Sequence, residues 1–264
     1  MTITGLPLGL SADFFPNIDP ERLIASIETQ GARFAWTRAL ECPCLSNNTQ
    51  TRQADPNCPV CRGSSALFFG PTNYQLPAAV GDLTPIQQNL LNTTGAAVIR
   101  GIVSSVSKKE DYYDVFGHWY WGTVSITVRP ENKLGFFDKL VALDSEIIYY
   151  ERIEAPAGVV NIRTRYPVVE LNHAQTLTST LRLGAEVDVN LGQLSWRTGA
   201  VPTTSTVLSV HYTTYPVWRV IDYPHVYRES ATRQGRRSTP MGTPRQLPIQ
   251  AKMKLDFVPD GDMR

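Results

Sequence analysis

From residue 96 to residue 228 the chain reads as one strand after another, and this run decides the fold class. The segments "AAVIRGIVSSVSKK", "GHWYWGTVSITVRP", "KLVALDSEIIYYERI" and "VVNIRTRYPVVEL" are rich in Val, Ile, Tyr and Trp, residues that suit a pleated, half-buried surface. Alternation is clear in "TVSITV", where Val124, Ile126 and Val128 share one face. The run "AEVDVNLGQLSWRTGAVPTTSTVLSVHYTTYPVWRVIDY" continues the pattern, with turn signals at Gly192 and from Gly199 to Pro202. Turns spaced by about 8–12 residues, with no βαβ pattern, predict a mainly β protein with a β-sandwich or barrel-like body.

Ahead of this body the signals are helical and then hairpin-like. Asp19 is a good N-cap, Pro20 suits the first helical position, and Leu23, Ile24 and Ile27 recur on one face before Gly31. A short N-terminal helix over 19–31 follows. "RFAWTRAL" then predicts a strand leading into the first cysteines, and "SALFFG" a strand leaving the last. Thr84 and Pro85 open a second short helix in "TPIQQNLLN". The resulting division is an N-terminal helix and entry strand (1–35), a cysteine hairpin (36–70), a linker with a short helix (71–95), the β body (96–228) and a C-terminal arm (229–264).

All four cysteines, Cys42, Cys44, Cys58 and Cys61, fall in the tip of that hairpin. A bridge between Cys42 and Cys44 is sterically awkward, and the N-terminal segment has no basic region or long apolar run of the kind that directs secretion. A compartment that keeps thiols reduced is expected. Four thiolates at about 2.3 Å from one Zn²⁺ would saturate it and leave no open position, the pattern of a structural site. In "CPVCRG", Pro59 stiffens the turn, and Gly63 admits positive φ so that backbone N–H groups can face the sulfurs. Metal binding would supply the free energy that orders the polar loop between the pairs. The alternatives are four free thiols or an iron–sulfur cluster.

The C-terminal segment differs in charge from the rest. Residues 228–264 carry eight Lys/Arg against four Asp/Glu, while the remainder carries seventeen against twenty. "RESATRQGRRSTPMGTPRQLPIQ" is polar and broken by prolines, which predicts an extended basic arm. Beyond it, Ile249, Ala251, Met253 and Leu255 alternate in "IQAKMKLDF". This predicts a strand that augments a sheet edge on a neighbouring subunit. The interface residues so expected are Arg233, Arg236, Arg237, Arg245, Ile249, Met253, Leu255 and Phe257.

No constellation for catalysis stands out. There is no phosphate-cradling Gly-rich loop, no H-E-x-x-H and no G-x-S-x-G. His118, His173, His211 and His225 are scattered, and Glu110, Asp111 and Asp114 read as the solvated tip of a hairpin. Trp119, Trp121 and Trp218 offer one alternative, a module that stacks on glycans. Arg38, Arg52 and Arg62 near the cysteines offer another, a zinc-ribbon nucleic-acid binder. A net charge of +1 weakens the latter. No stretch is apolar for long enough to predict a membrane span.

The stretch "WTRALECPCLSNNTQTRQADPNCPVCRG" resembles a segment near the N-terminus of structural proteins of tailed bacteriophages, in which W-x-R, C-P-C and D-x-x-C-x-x-C-x-G precede a β-rich body. Here the matching positions are Trp36, Arg38, Cys42, Cys44, Asp55, Cys58, Cys61 and Gly63. "LSWRTGAVPTTSTVLSVHYTTYPVWRVIDYPHVYR" is similar to sequences of head–tail proteins. The resemblance implies a non-enzymatic virion component of the neck, a head-to-tail connector or collar. It would assemble in the host cytoplasm as a homo-oligomeric ring against portal or tail proteins, with only incidental contact to packaged DNA. Ring contacts of that kind are heterologous and must close.

Overall fold

The computed structural model describes residues 20–44, 55, 58–61, 65–71, 82–105, 122–222, 229–230, 245–246 and 248–256. The helix α1 (Pro20–Gln30) forms as its sequence predicts and buries Ile27 completely. It gives way to β1 (Ala32–Glu41), which pairs antiparallel with β2 (Ala66–Phe69), so that the cysteines do lie at the tip of a hairpin. The second helix, α2 (Pro85–Thr94), starts at a complete capping box: the Gln87 N–H donates to the Thr84 hydroxyl, and the Thr84 N–H donates back to Gln87 Oε1.

Six antiparallel strands close into a barrel in the order β1, β3 (Ala97–Ser105), β4 (Thr123–Val128), β15 (Ile249–Leu255), β12 (Val217–Asp222) and β5 (Lys139–Ala142). Closure comes from β1, whose residues Phe34 to Thr37 pair with β5 while Ala32 to Trp36 pair with β3. A closed barrel leaves no unpaired edge in its wall. Its interior is filled by alternate residues: Phe34 and Trp36, Ala97 and Ile99, Ile126 and Val128, Leu140 and Ala142, Val220, and Ala251 and Met253. The alternation noted in "TVSITV" and "IQAKMKL" is the inward-facing row of β4 and β15.

The segment "KLVALDSEIIYYERI" splits at residues 143–146. Its first half, β5, stays in the barrel, and its second, β6 (Ile147–Ala155), leaves it. Residues 143–216 form an insertion of two three-stranded sheets. One is β6, β11 (Thr206–Thr214) and β8 (Glu170–Gln175). The other is β7 (Asn161–Ile162), β10 (Gln193–Trp196) and β9 (Val187–Asn190). Both face a single core containing Ile153, Leu208, Val210 and Tyr212 from one sheet and Ile162, Val187, Leu194 and Trp196 from the other. The same core takes in Ala35, Val98, Val141 and Val217, the outward-facing residues of the barrel wall. That wall is therefore buried on both sides, and β1 reads as four consecutive buried residues, Phe34 to Thr37, with no alternation. Both fold classes expected of the body occur, a barrel and a two-sheet insertion that shares its wall.

The packing does not follow the division drawn from sequence. The barrel takes β1 from the N-terminal part, and it takes β15 from what reads as a separate arm. This corrects the expected role of the C-terminal strand. Ile249, Met253 and Leu255 pair within their own chain, between β4 and β12, and Ala251 and Met253 are fully buried in the barrel. The physical reason is that an alternating strand needs one apolar face covered and two edges paired, and the gap between β4 and β12 supplies both. Sequence alternation alone cannot name the partner. Arg245 lies in β14 (Arg245–Gln246), opposite β13 (Glu229–Ser230). Arg233, Arg236, Arg237 and Phe257 lie outside the described residues.

Candidate metal centre

The hairpin that carries the cysteines is an extension of a barrel strand. Pairing of β1 with β5 ends at Thr37 and Lys139, and β1 then runs on to pair with β2 from Arg38 to Glu41. At the point of departure the buried Asp138 takes over. Its carboxylate accepts the Trp36 indole N–H at 2.7 Å, the Ala39 backbone N–H at 2.9 Å and the Gly135 backbone N–H at 2.5 Å. A charged acceptor with three donors is well compensated for burial. It fixes the root of the hairpin to the loop ahead of β5. The exit of β2 is held by close backbone approach: a Cβ on Gly70 would sit 1.8 Å from the Gly95 carbonyl oxygen, so only glycine fits.

Cys42 follows β1 directly, and its N–H donates to the Ser65 carbonyl at 2.9 Å, which closes the loop at its base. Ser65 takes a left-handed backbone, φ 61°, to make that turn. The Cys58 N–H donates to the Asp55 carbonyl at 3.0 Å. The four sulfurs converge. Cys42 Sγ lies 3.8 Å from Cys58 Sγ, Cys44 Sγ lies 3.5 Å from Cys61 Sγ, and all four fall within 4.8 Å of one another. Four sulfurs at about 2.3 Å from a central ion in a tetrahedron stand roughly 3.8 Å apart. The spacing therefore fits one ion. Cys42, Cys58 and Cys61 are buried, Cys44 is half-buried, Leu67 packs against the group, and none is in a disulfide.

Backbone donors face the sulfurs. The N–H groups of Cys61 and Val60 both donate to the Cys58 sulfur and, with its neighbouring thiols, hold it down at about 6 against the burial that opposes them. The Cys44 N–H acts on Cys42 and the Asp55 N–H on Cys44 in the same sense. Desolvation and the adjoining sulfurs outweigh them, so Cys42 is raised and Cys44 is pushed up to about 12. Sulfurs this close oppose one another's ionisation, since like charges at this distance cannot all persist. A divalent cation would reverse that balance. The donor set and spacing thus suit a thiophilic ion with no vacant coordination position.

Ser65 was not singled out in the sequence and Asp55 only as a motif position, because both act through backbone groups. Asp55 stands within the D-x-x-C motif, and that is the one signal that could have found it. Gly63, Arg52 and Arg62 lie outside the described residues, and Arg38 stacks over Trp36 with 4.9 Å to the ring centre. Of the aromatic residues considered for glycan stacking, Trp119 and Trp121 lie outside the described residues. Trp218 is half-buried against the barrel core between Leu140 and Leu255. Among the scattered histidines, His173 and His211 are direct cross-strand partners of β8 and β11, while His118 and His225 lie outside the described residues.

The fold and the site define a class: a closed antiparallel barrel with a β insertion in one wall and a four-cysteine cluster on a projecting hairpin. No model of a known protein family matches the chain, and no curated protein matches it.

Proposed function

We propose that this chain is a non-enzymatic structural subunit of a tailed-bacteriophage particle, a head-to-tail connector or collar protein of the neck that assembles as a homo-oligomeric ring and carries structural zinc. The observation that carries the reading is the placement of the sulfurs. They occupy the tip of an arm rooted in a closed barrel, and four thiolates at tetrahedral spacing leave no position for a substrate or activated water. An ion held in that way stiffens a projection for docking. The phage assignment itself rests on the resemblance of the Trp36 to Gly63 stretch and of the β12 region to head–tail proteins. Portal and tail proteins of the same particle are the partners it implies, and the virion is the location.

Because β15 is committed to its own barrel, the ring contact must lie elsewhere. Leu40 and Phe69 on the hairpin are 55% and 39% exposed and would serve it. The test is imaging and sedimentation of the metal-loaded protein, alone and with a portal-type partner, beside Cys58→Ser. Closed rings that disappear together with the metal in the variant are expected. Protein that holds its metal yet stays monomeric with every partner would overturn the assembly reading.

A further inference from the structure

Beside the root of the hairpin, the outer face of the barrel carries a row of residues in which positive charges adjoin one another. Backbone register places Thr37 (β1), Lys139 (β5), Arg219 (β12), Lys254 (β15) and Thr123 (β4) side by side across five adjacent strands. Direct partners project from the same face, and adjacent strands are about 4.8 Å apart. Like charges placed directly opposite one another destabilise a sheet, yet Lys139, Arg219 and Lys254 are three in succession.

Compensation is incomplete. Asp256 pairs with the Arg219 guanidinium and accepts the Tyr166 hydroxyl at 3.3 Å. The Lys139 ammonium has no hydrogen bond or ion pair among the described residues. Its near contact is the ring of Phe68, 5.6 Å from the ring centre, and Arg219 lies over the same ring at 5.1 Å. The charges acting on it are one carboxylate, Asp256, and two guanidiniums, Arg219 and Arg165. Burial, joined by those two guanidiniums, lowers its affinity for a proton. The row also ends on two orphan hydroxyls. Thr37 and Thr123 are 5% and 8% exposed, and neither Oγ1 has a hydrogen-bond partner among the described residues. A buried donor left unmade is costly, and one of the two belongs to the direct cross-strand partner of Lys139.

We propose that Thr37, Lys139 and Arg219, under the ring of Phe68, form a binding site for a tetrahedral oxyanion of the phosphate type. Register brings residues bearing an ammonium, a guanidinium and a hydroxyl together from three adjacent strands, which suits an acceptor with oxygens in several directions. Lys139, Arg219 and Arg165 against Asp256 leave two positive charges, which a dianion balances. The site shares no residue with the cysteine cluster and stands whether or not the assembly reading holds.

Calorimetric titration of the full chain with inorganic phosphate, at ionic strength held with chloride, tests it. One phosphate per chain is expected, with sulfate competing. Lys139→Met should weaken phosphate binding by at least about tenfold, the worth of a charge-assisted hydrogen bond. It should also melt no lower than the wild type, since it removes a like-charge contact. Thr37→Val keeps the shape and deletes the hydroxyl, and it should weaken binding by several-fold with its fold intact. Undetectable phosphate binding would overturn the proposal. So would unchanged binding in Thr37→Val or in a folded Lys139→Met, or glutarate binding as tightly as phosphate.

Discussion

Met253 is the side chain through which the C-terminal strand can be assigned to its own barrel or to a neighbour's sheet. It is fully buried among Phe34, Trp36, Ile126 and Val220. Truncation to alanine removes the thioether and leaves a cavity that a closed barrel cannot collapse around, at a cost of about 2–5 kcal/mol. For a chain of this size a kilocalorie moves the melting midpoint by about 2–4 °C, so Met253→Ala should melt about 4–20 °C lower. Removing the strand is worse. Residues 249–254 have six register partners on β4, and β12 contributes four more pairings. At about one ladder hydrogen bond per pairing and 0.5–1.5 kcal/mol each, roughly 5–15 kcal/mol is lost, the whole stability of an ordinary domain. A chain ending before Ile249 should therefore fail to fold.

The assay is thermal unfolding followed by circular dichroism across a wide range of protein concentration. Below the concentration at which rings form, a strand held within its own chain gives a midpoint that does not depend on concentration, and Met253→Ala shifts it equally throughout that range. A strand lent to a neighbour gives a midpoint that rises with concentration. In that case the truncated chain would be a folded monomer. Either result, a folded truncated body or a concentration-dependent Met253→Ala defect, would refute the placement of β15.

Three further outcomes follow from named contacts. Asp138→Ala strands the Trp36 indole N–H and the Ala39 N–H in a buried site. It should cost roughly 3 kcal/mol or more by chemical denaturation, with the loss visible in tryptophan fluorescence. Burial pushes the Asp144 carboxyl up, but the Arg33 side chain and backbone N–H donate to it and more than offset this, so it is held below its ordinary value. A depressed carboxyl stabilises the fold above its unfolded value of about 4 and loses that contribution as pH falls through the folded value. Asp144→Asn should flatten the acid limb of a stability–pH curve and leave its alkaline side parallel to wild type. Phe137 is an exposed aromatic residue with φ 65°. Phe137→Gly relieves that backbone and should not lower the melting midpoint, with a gain of up to about 1 kcal/mol.

How much of this could be read from the chain depends on whether the physics was local. The capping box at Thr84, the stop at Gly31 and the hairpin that gathers the cysteines all rest on groups within a few residues of one another, or on a spacing that suits a shared ion. Each shows in the sequence. Strand partners are a different matter. Alternation in Ile249 to Leu255 states that one face is apolar, and it is silent on which two strands will flank it. The same limit hides the break inside "KLVALDSEIIYYERI". Val141 and Leu143 carry the pattern of a continuing strand, but the chain leaves one sheet for another where the insertion core begins. It hides Asp138, whose three donors come from residues 135, 36 and 39. It hides the cation row above all, since Lys139, Arg219 and Lys254 are far apart in sequence and become neighbours only through register. In a barrel of antiparallel strands, register joins distant residues into one surface. What the hairpin tip can bind is therefore written locally, and what the barrel wall can bind is written only in the closed sheet.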